Sequence, residues 1–282
     1  MNFHDGEKVY VKSVHLIVED VTRSSQFYQH VLGFKVLAQT DMMIQLTADG
    51  IYPLLTIEEQ KESMGLDPGT TGLYHFALLL PERSDLANFL RHLISENIQV
   101  AGSDHFVSEA VYFSDPDGNG IEVYIDRPSE AWVWKEGQVK MTVDPLDFNG
   151  LIMSAEEKGW GGIPPETLLG HIHLHVSDLS NTEEFYCNGL GFDVVSRFGD
   201  QALFISSGGY HHHIGLNTWK GTGAPPPNIN SRGLRSFDII YPNGPMRQAA
   251  VDRLRKMDAW IQEEGNIIMT RDPSANYIRL QV

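Results

Sequence analysis

Cysteine is almost missing from this chain. Cys187 is the only one in 282 residues, so no intrachain disulfide can form, and a reducing compartment is the natural expectation. Long apolar runs are missing as well. Nothing approaches the ~20 apolar residues that a membrane helix needs. The polar start MNFHDGEKVYVK lacks the apolar core of a signal peptide. Cytoplasmic residence with no membrane partner is therefore expected. Cations are scarce: 21 Lys and Arg stand against 37 Asp and Glu, a formal net charge of −16. Such a surface repels phosphate backbones and argues against nucleic acid as a partner. No glycine-rich phosphate loop, nucleophile elbow or CxxC pair is present. What remains is an ordinary globular composition, 41% hydrophobic and 21% charged, long enough for two domains.

What is there is a repeat. Residues 14–37 read VHLIVEDVTRSSQFYQHVLGFKVL, and residues 172–195 read IHLHVSDLSNTEEFYCNGLGFDVV. His15, Asp20, Phe27, Tyr28, Gly33 and Phe34 match His173, Asp178, Phe185, Tyr186, Gly191 and Phe192 at a constant offset. The frame has a physical sense. VHLIV and IHLHV read as strands. Asp20 or Thr22, and Asp178 or Ser180, can accept the free N–H groups of a helix start. Gly33 and Gly191 suit a helix end, where positive φ is cheap for glycine.

A second unit of the same layout follows each of these. One begins at YHFALLLP (74–81), with a helix over 84–97 and strands near 98–106, 110–114 and 120–125. The other begins at LRSFDIIYP (234–242), with a helix over roughly 245–264 and a final strand NYIRLQV. SDPDGNG (114–120) and RDPSANY (271–277) are matched hairpin turns. The first lacks the distal glutamate of a calcium loop. Each half thus reads as βαβββ taken twice, an α+β arrangement. The expected domains are 8–127 and 169–282, joined by a segment 128–168 whose tryptophans suggest that it packs on a domain.

The paired units, the Phe-Tyr…Leu-Gly-Phe helix exit and the ending DPDGNGIEVY resemble the vicinal oxygen chelate superfamily, which includes glyoxalase I, bleomycin resistance proteins and extradiol ring-cleaving dioxygenases. The two-domain length, GLYHFALLLP and GGYHHHIGLNTW bring the chain nearest to bacterial catechol 2,3-dioxygenase-like proteins. That resemblance implies two U-shaped mixed sheets. It also implies a divalent metal held by two histidines and a glutamate, with positions left open for a catecholate and O₂.

Carried onto this chain, the resemblance places metal ligands at His75 and Glu122. The first-ligand position of that half is Ser13, a poor ligand. His15 lies on the same strand face and can replace it only if the strand shifts by roughly 6.6 Å, one pleat repeat. The metal set expected here is therefore His75, Glu122 and His15. Tyr112 falls at the position of a second-sphere tyrosine and His105 at that of a substrate-binding histidine, each otherwise an ordinary strand or turn residue. In the second half His171 occupies the first-ligand position, but Ser236 and Arg279 occupy the others. His212 matches the acid–base histidine, with His211 and His213 expected on the other face. This cluster leaves three readings: His171 and His212 hold a metal with water; they join Arg279 around an anionic ligand; or they are satisfied core residues.

The resemblance implies an extradiol dioxygenase-like oxidoreductase acting on a small vicinal-diol aromatic and O₂. Fe(II) is the expected metal, with Mn(II), Zn(II) or Ni(II) as alternatives, and a homo-oligomer is compatible with it. A glyoxalase-like lyase or isomerase would need a further acid near IYPLLTIEE (51–59), where the strand centre is neutral. A non-catalytic small-molecule binding protein would fit the departures at Ser13, Ser236 and Arg279.

Overall fold

The computed structural model describes residues 3–282, in which four βαβββ units follow one another. Unit 1 comprises β1 (Tyr10–Val18), α1 (Val21–Phe27, continued by a π-helical turn to Leu32), β2 (Lys35–Gln39), β3 (Met43–Thr47) and β4 (Leu55–Glu59). Unit 2 comprises β5 (Gly72–Leu79), α2 (Arg83–Ser95), β6 (Ala101–Asp104), β7 (Ser108–Ser114) and β8 (Gly120–Asp126). The connecting segment adds the short strands β9 (Trp134–Lys135), β10 (Gln138–Val139) and β11 (Asp144–Pro145) and the helix α3 (Phe148–Ile152). Unit 3 holds β12 (Leu168–His175), α4 (Leu179–Glu183, continued by a π-helical turn to Leu190), β13 (Asp193–Phe198), β14 (Ala202–Ser206) and β15 (Ile214–Asn217). Unit 4 holds β16 (Gly233–Ile240), α5 (Gly244–Lys256), β17 (Ile261–Glu264), β18 (Ile267–Arg271) and β19 (Tyr277–Gln281). Among the described residues no helix is long and apolar enough to cross a membrane.

The helix signals act as their chemistry requires. Asp20 accepts the N–H of Arg23 at 2.8 Å, and Asp178 that of Asn181 at 2.7 Å, so the aspartates rather than Thr22 and Ser180 cap the two helices. Gly33 and Gly191 end them at φ 75° and 93°. A Cβ on Gly33 would also lie 2.3 Å from the Cα of Gly162, so the connecting segment packs directly on this helix end. Trp132 is buried and Trp160 packs on Phe89, whereas Trp134 is partly exposed.

The strand order is β17-β18-β19-β16-β1-β4-β3-β2 in one sheet and β11-β6-β7-β8-β5-β12-β15-β14-β13 in the other. Unit 1 therefore shares a sheet with unit 4, and unit 2 with unit 3. The sheets do not follow the halves 8–127 and 169–282. β1 pairs with β16 and β5 with β12, both antiparallel, and these non-local pairings are set by the tertiary fold. Consecutive units are joined face to face instead. The Tyr28 hydroxyl donates to Asp115 at 2.8 Å, and Tyr186 donates to Asp272 at 3.0 Å, tying each helix to the hairpin turn of the next unit. One apolar cluster runs through both sheets, from Leu16 through Phe89 and Phe185 to Leu254. Each fully buried leucine in it contributes about 2 kcal/mol through loss of apolar surface from water.

Candidate active site

The β5–β12 seam carries two bulges. Gly170 is the extra residue between the pairs Leu169–Leu78 and His171–Ala77, and Tyr74 is the extra residue between His173–His75 and Leu174–Leu73. A bulge re-aims the side chains beside it. Here the first stands next to His171 and the second next to His75. Glycine is required at 170, where a Cβ would lie 1.8 Å from the Tyr124 hydroxyl. Glu122 on β8 sits opposite Ala77 on β5, and Ala77 sits opposite His171 on β12. The short alanine at the middle of that row leaves space between a carboxylate and an imidazole.

His75, Glu122 and His171 close around that space, with one donor atom from each lying within 4.8 Å of the others, and all three are buried. His171 Nε2–H donates to Glu122 Oε2 at 3.1 Å. His75 Nε2 lies 3.0 Å from the same oxygen but out of line for a hydrogen bond, and neither it nor His171 Nδ1 has another partner. Buried polar atoms left in this way call for an explanation. Burial disfavours the charged form of Glu122, but His171 and His75 outweigh it and hold the carboxyl well below its usual range. Burial, opposed by Glu122, brings His171 down to about 4. An ionised carboxylate and a neutral His171 are the states a divalent metal needs, and two nitrogens with one carboxylate oxygen suit a first-row divalent metal such as iron or zinc.

The cavity in front of this triad has a volume of about 1070 Å³. Tyr112 lies on β7 directly across from Glu122. Burial first, and then the Glu122 charge, pushes its phenol well above the ordinary value, so it remains protonated. His105 Nδ1–H donates to the Thr142 carbonyl at 2.6 Å, which leaves Nε2 to accept from the Tyr112 hydroxyl at 2.7 Å. His212 also faces the cavity, with its ring 4.1 Å from that of His171.

The expected ligands thus divide differently from the sequence reading. His75, Glu122, Tyr112, His105 and His212 come together, but His15 does not join them. It lies in the β1–β16 sheet opposite Ser236, 2.9 Å from Glu58. The third residue of the group that could hold a metal is His171 from unit 3, across the seam. Arg279 is not beside His171 either. It is bound to Asp238 in the other sheet, so the anion pocket of His171, His212 and Arg279 does not form. His211 does not turn away from His212, since the segment before β15 is not extended and their Nδ1 atoms lie 2.8 Å apart.

Other cavity residues were not legible as site residues. Strand alternation sends Tyr74 away from His75, but the bulge puts its ring 5.0 Å from that of His75 and 5.1 Å from that of Trp219. Asn217 donates to His173 Nε2 at 2.9 Å and accepts from His175 Nδ1–H at 2.7 Å, which occupies both histidines as supports. The one sequence signal for this group was the density of histidines on β12.

A model of the Glyoxalase/Bleomycin resistance protein/Dioxygenase superfamily matches residues 10–123 and 168–278. The catechol-2,3-dioxygenase of Bacillus subtilis (strain 168) is 44% identical over 276 residues, 96% of this chain and 97% of that protein. Biphenyl-2,3-diol 1,2-dioxygenase 3 of Rhodococcus globerulus is 30% identical over 153 residues, 51% of this chain and 78% of that protein. Among solved structures, a putative dioxygenase from Bacillus subtilis superposes with a TM-score of 0.68 at 14% identity, covering 97% of this chain and 85% of that one. Glyoxalase I from Zea mays superposes with a TM-score of 0.59 at 14% identity, covering 96% and 92%. At such identities the structures speak for the fold alone. Family model, relatives and paired units agree, and the chain belongs to the Glyoxalase/Bleomycin resistance protein/Dioxygenase superfamily.

Proposed function

We propose that this chain, an oxidoreductase of the dioxygenase kind, cleaves a small vicinal-diol aromatic beside its two hydroxyl-bearing carbons and inserts both atoms of O₂, using Fe(II) held by His75, Glu122 and His171. The observation that carries the reading is the set of three buried ligands at the back of a cavity that also presents Tyr112, His105 and His212. The 44% identity to a catechol-2,3-dioxygenase supports it. When bound, Fe(II) supplies Lewis acidity and the single-electron chemistry that lets a spin-paired organic molecule react with O₂.

The residues do the rest. Tyr112, kept protonated, donates its one hydroxyl hydrogen to His105 Nε2 and presents the phenol oxygen as an acceptor near the triad. His212 stands across the triad ring of His171 as a base for a substrate hydroxyl. Tyr74, Phe204 and Trp219 line the cavity with aromatic surface for a flat ring. All three ligands are buried where they line the cavity. No observation favours the glyoxalase-like or binding-protein alternatives. The ligand cluster among the described residues holds no further acid, and the Arg279 site is filled by Asp238.

The test is anaerobic loading with Fe(II), followed by catechol and O₂. A yellow ring-opened product, absent in His171→Ala, is expected. Full iron loading with no cleavage of catechol or substituted catechols would overturn the reading.

A further inference from the structure

The run His211–His212–His213 is only partly used by the mechanism above. His213 is structural: its Nε2 lies 3.1 Å from the Phe3 carbonyl oxygen and its Nδ1 3.2 Å from the Ser206 hydroxyl. His211 has a different setting. Its Nε2 is 2.7 Å from Asp126 Oδ1 and its Nδ1 is 2.8 Å from His212 Nδ1. Its ring is wholly buried, 4.0 Å from the ring of Tyr210 and 5.1 Å from that of Trp132, so it cannot turn without unpacking both. Asp126 ends β8, the strand that carries Glu122.

The donors and acceptors then follow in order. A carboxylate only accepts, so His211 carries its proton on Nε2. A His211 that carries only this one ring proton has Nδ1 as an acceptor. The partner nitrogen, His212 Nδ1, must therefore carry a proton, and His212 Nε2 is left with a bare lone pair. The His212 ring lines the cavity between His171 and Phe204, at 4.1 and 5.0 Å. We propose that Asp126 and His211 are positioning residues that fix His212 in the tautomer with Nδ1 protonated and Nε2 free to take a proton from a substrate hydroxyl. In that step the substrate O–H bond breaks and a His212 Nε2–H bond forms. The role of His212 rests on the function proposed above; the tautomer relay does not.

The test is nitrogen NMR of the metal-free full-length chain with labelled histidine, at one fixed neutral pH. The expected wild-type spectrum shows His212 protonated on Nδ1. Asp126→Leu and His211→Phe should shift His212 to the other tautomer or to a mixture. In the iron-loaded enzyme the same changes should lower kcat at least tenfold, with KM within about twofold and iron content unchanged. Asp126→Asn keeps an oxygen that can accept from His211 Nε2–H, so it should retain more of kcat than Asp126→Leu, and it serves if His211→Phe fails to fold. A wild-type His212 protonated on Nε2, or a His212 tautomer indifferent to the Asp126 variants, would overturn the relay. Absence of ring cleavage in every protein, with the tautomer shifts as expected, would instead count against the proposed function alone.

Discussion

The two sheets of this molecule are built on the same plan and end in opposite chemistry. In the seam of β5 and β12, Gly170 and Tyr74 bulge beside His171 and His75. In the seam of β1 and β16, Lys12 and Arg235 bulge at the matching places, beside Ser13 and Ser236. One row runs Glu122–Ala77–His171, the other Arg279–Asp238–Ser13. The backbone is prepared for a ligand triad in both. The difference lies at the centre of each row. Ala77 leaves space, whereas the Asp238 carboxylate fills it, accepting from Ser13 at 2.8 Å, from Gln281 at 2.8 Å and from Arg279. One cup keeps its charge open to an added cation, and the other carries its own cation permanently as a guanidinium. A bulge pattern thus prepares a site, and four side chains decide whether it can take a metal.

The largest effect should come from removing the triad. Glu122→Ala or His171→Ala should abolish stoichiometric iron binding and lower ring-cleavage activity by about 10³-fold or more, because the metal carries the chemistry. His15→Ala and Ser13→Ala should leave iron content and kcat unchanged. Elemental analysis beside a steady-state assay distinguishes the two cups.

A second experiment transfers one cup's chemistry to the other. The combined change Ser13→His, Ser236→His, Asp238→Ala and Arg279→Glu rebuilds the open row on an already bulged seam. It should bind a second equivalent of divalent metal, measurable by calorimetry with Zn(II). Failure in a well-folded variant would mean that the two seams differ in backbone as well as side chains.

Breaking the closed cup should cost stability rather than activity. Arg279→Ala leaves the buried Asp238 carboxylate without its counter-charge. Discounted for the partial exposure of the arginine, a loss of about 2 kcal/mol is expected, read from urea unfolding.

The smallest effect is on pH dependence. In the two cups, His15 and His171 are both held at about 4, each chiefly by burial, with Arg279 and Arg235 adding to it at His15. Their ordinary value is 6.5, so between those limits the unfolded chain binds more protons than the folded one. Stability of the metal-free protein should therefore rise with pH across this window and be lost as pH falls from about 6.5 toward 4, with a slope of about 1.4 kcal/mol per pH unit for each histidine. Arg279→Ala should move the His15 titration upward and leave that of His171 in place, which NMR titration can follow.

Much of this was written in the sequence. The repeat set the four units, Asp20 and Gly33 marked a helix start and end, and His75, Glu122 and Tyr112 stood in register on strands that the hydrophobic pattern could locate. The third member of the His75–Glu122–His171 cluster was visible only as a misfit. The sequence puts His171 in a different pocket because strand pairing between units is non-local, and no run of residues records which edge meets which. Tyr74 was hidden for a similar reason, since a bulge depends on the partner strand as well as its own. Strand alternation does not reveal the contact of His211 with His212, because that segment is not extended.

The most direct measurement is the iron content of anaerobically loaded protein, taken side by side for wild type, His171→Ala and His15→Ala. The account predicts one equivalent in wild type and in His15→Ala, and close to none in His171→Ala. Iron retained in His171→Ala, or lost in His15→Ala, would contradict a metal centre shared between units 2 and 3.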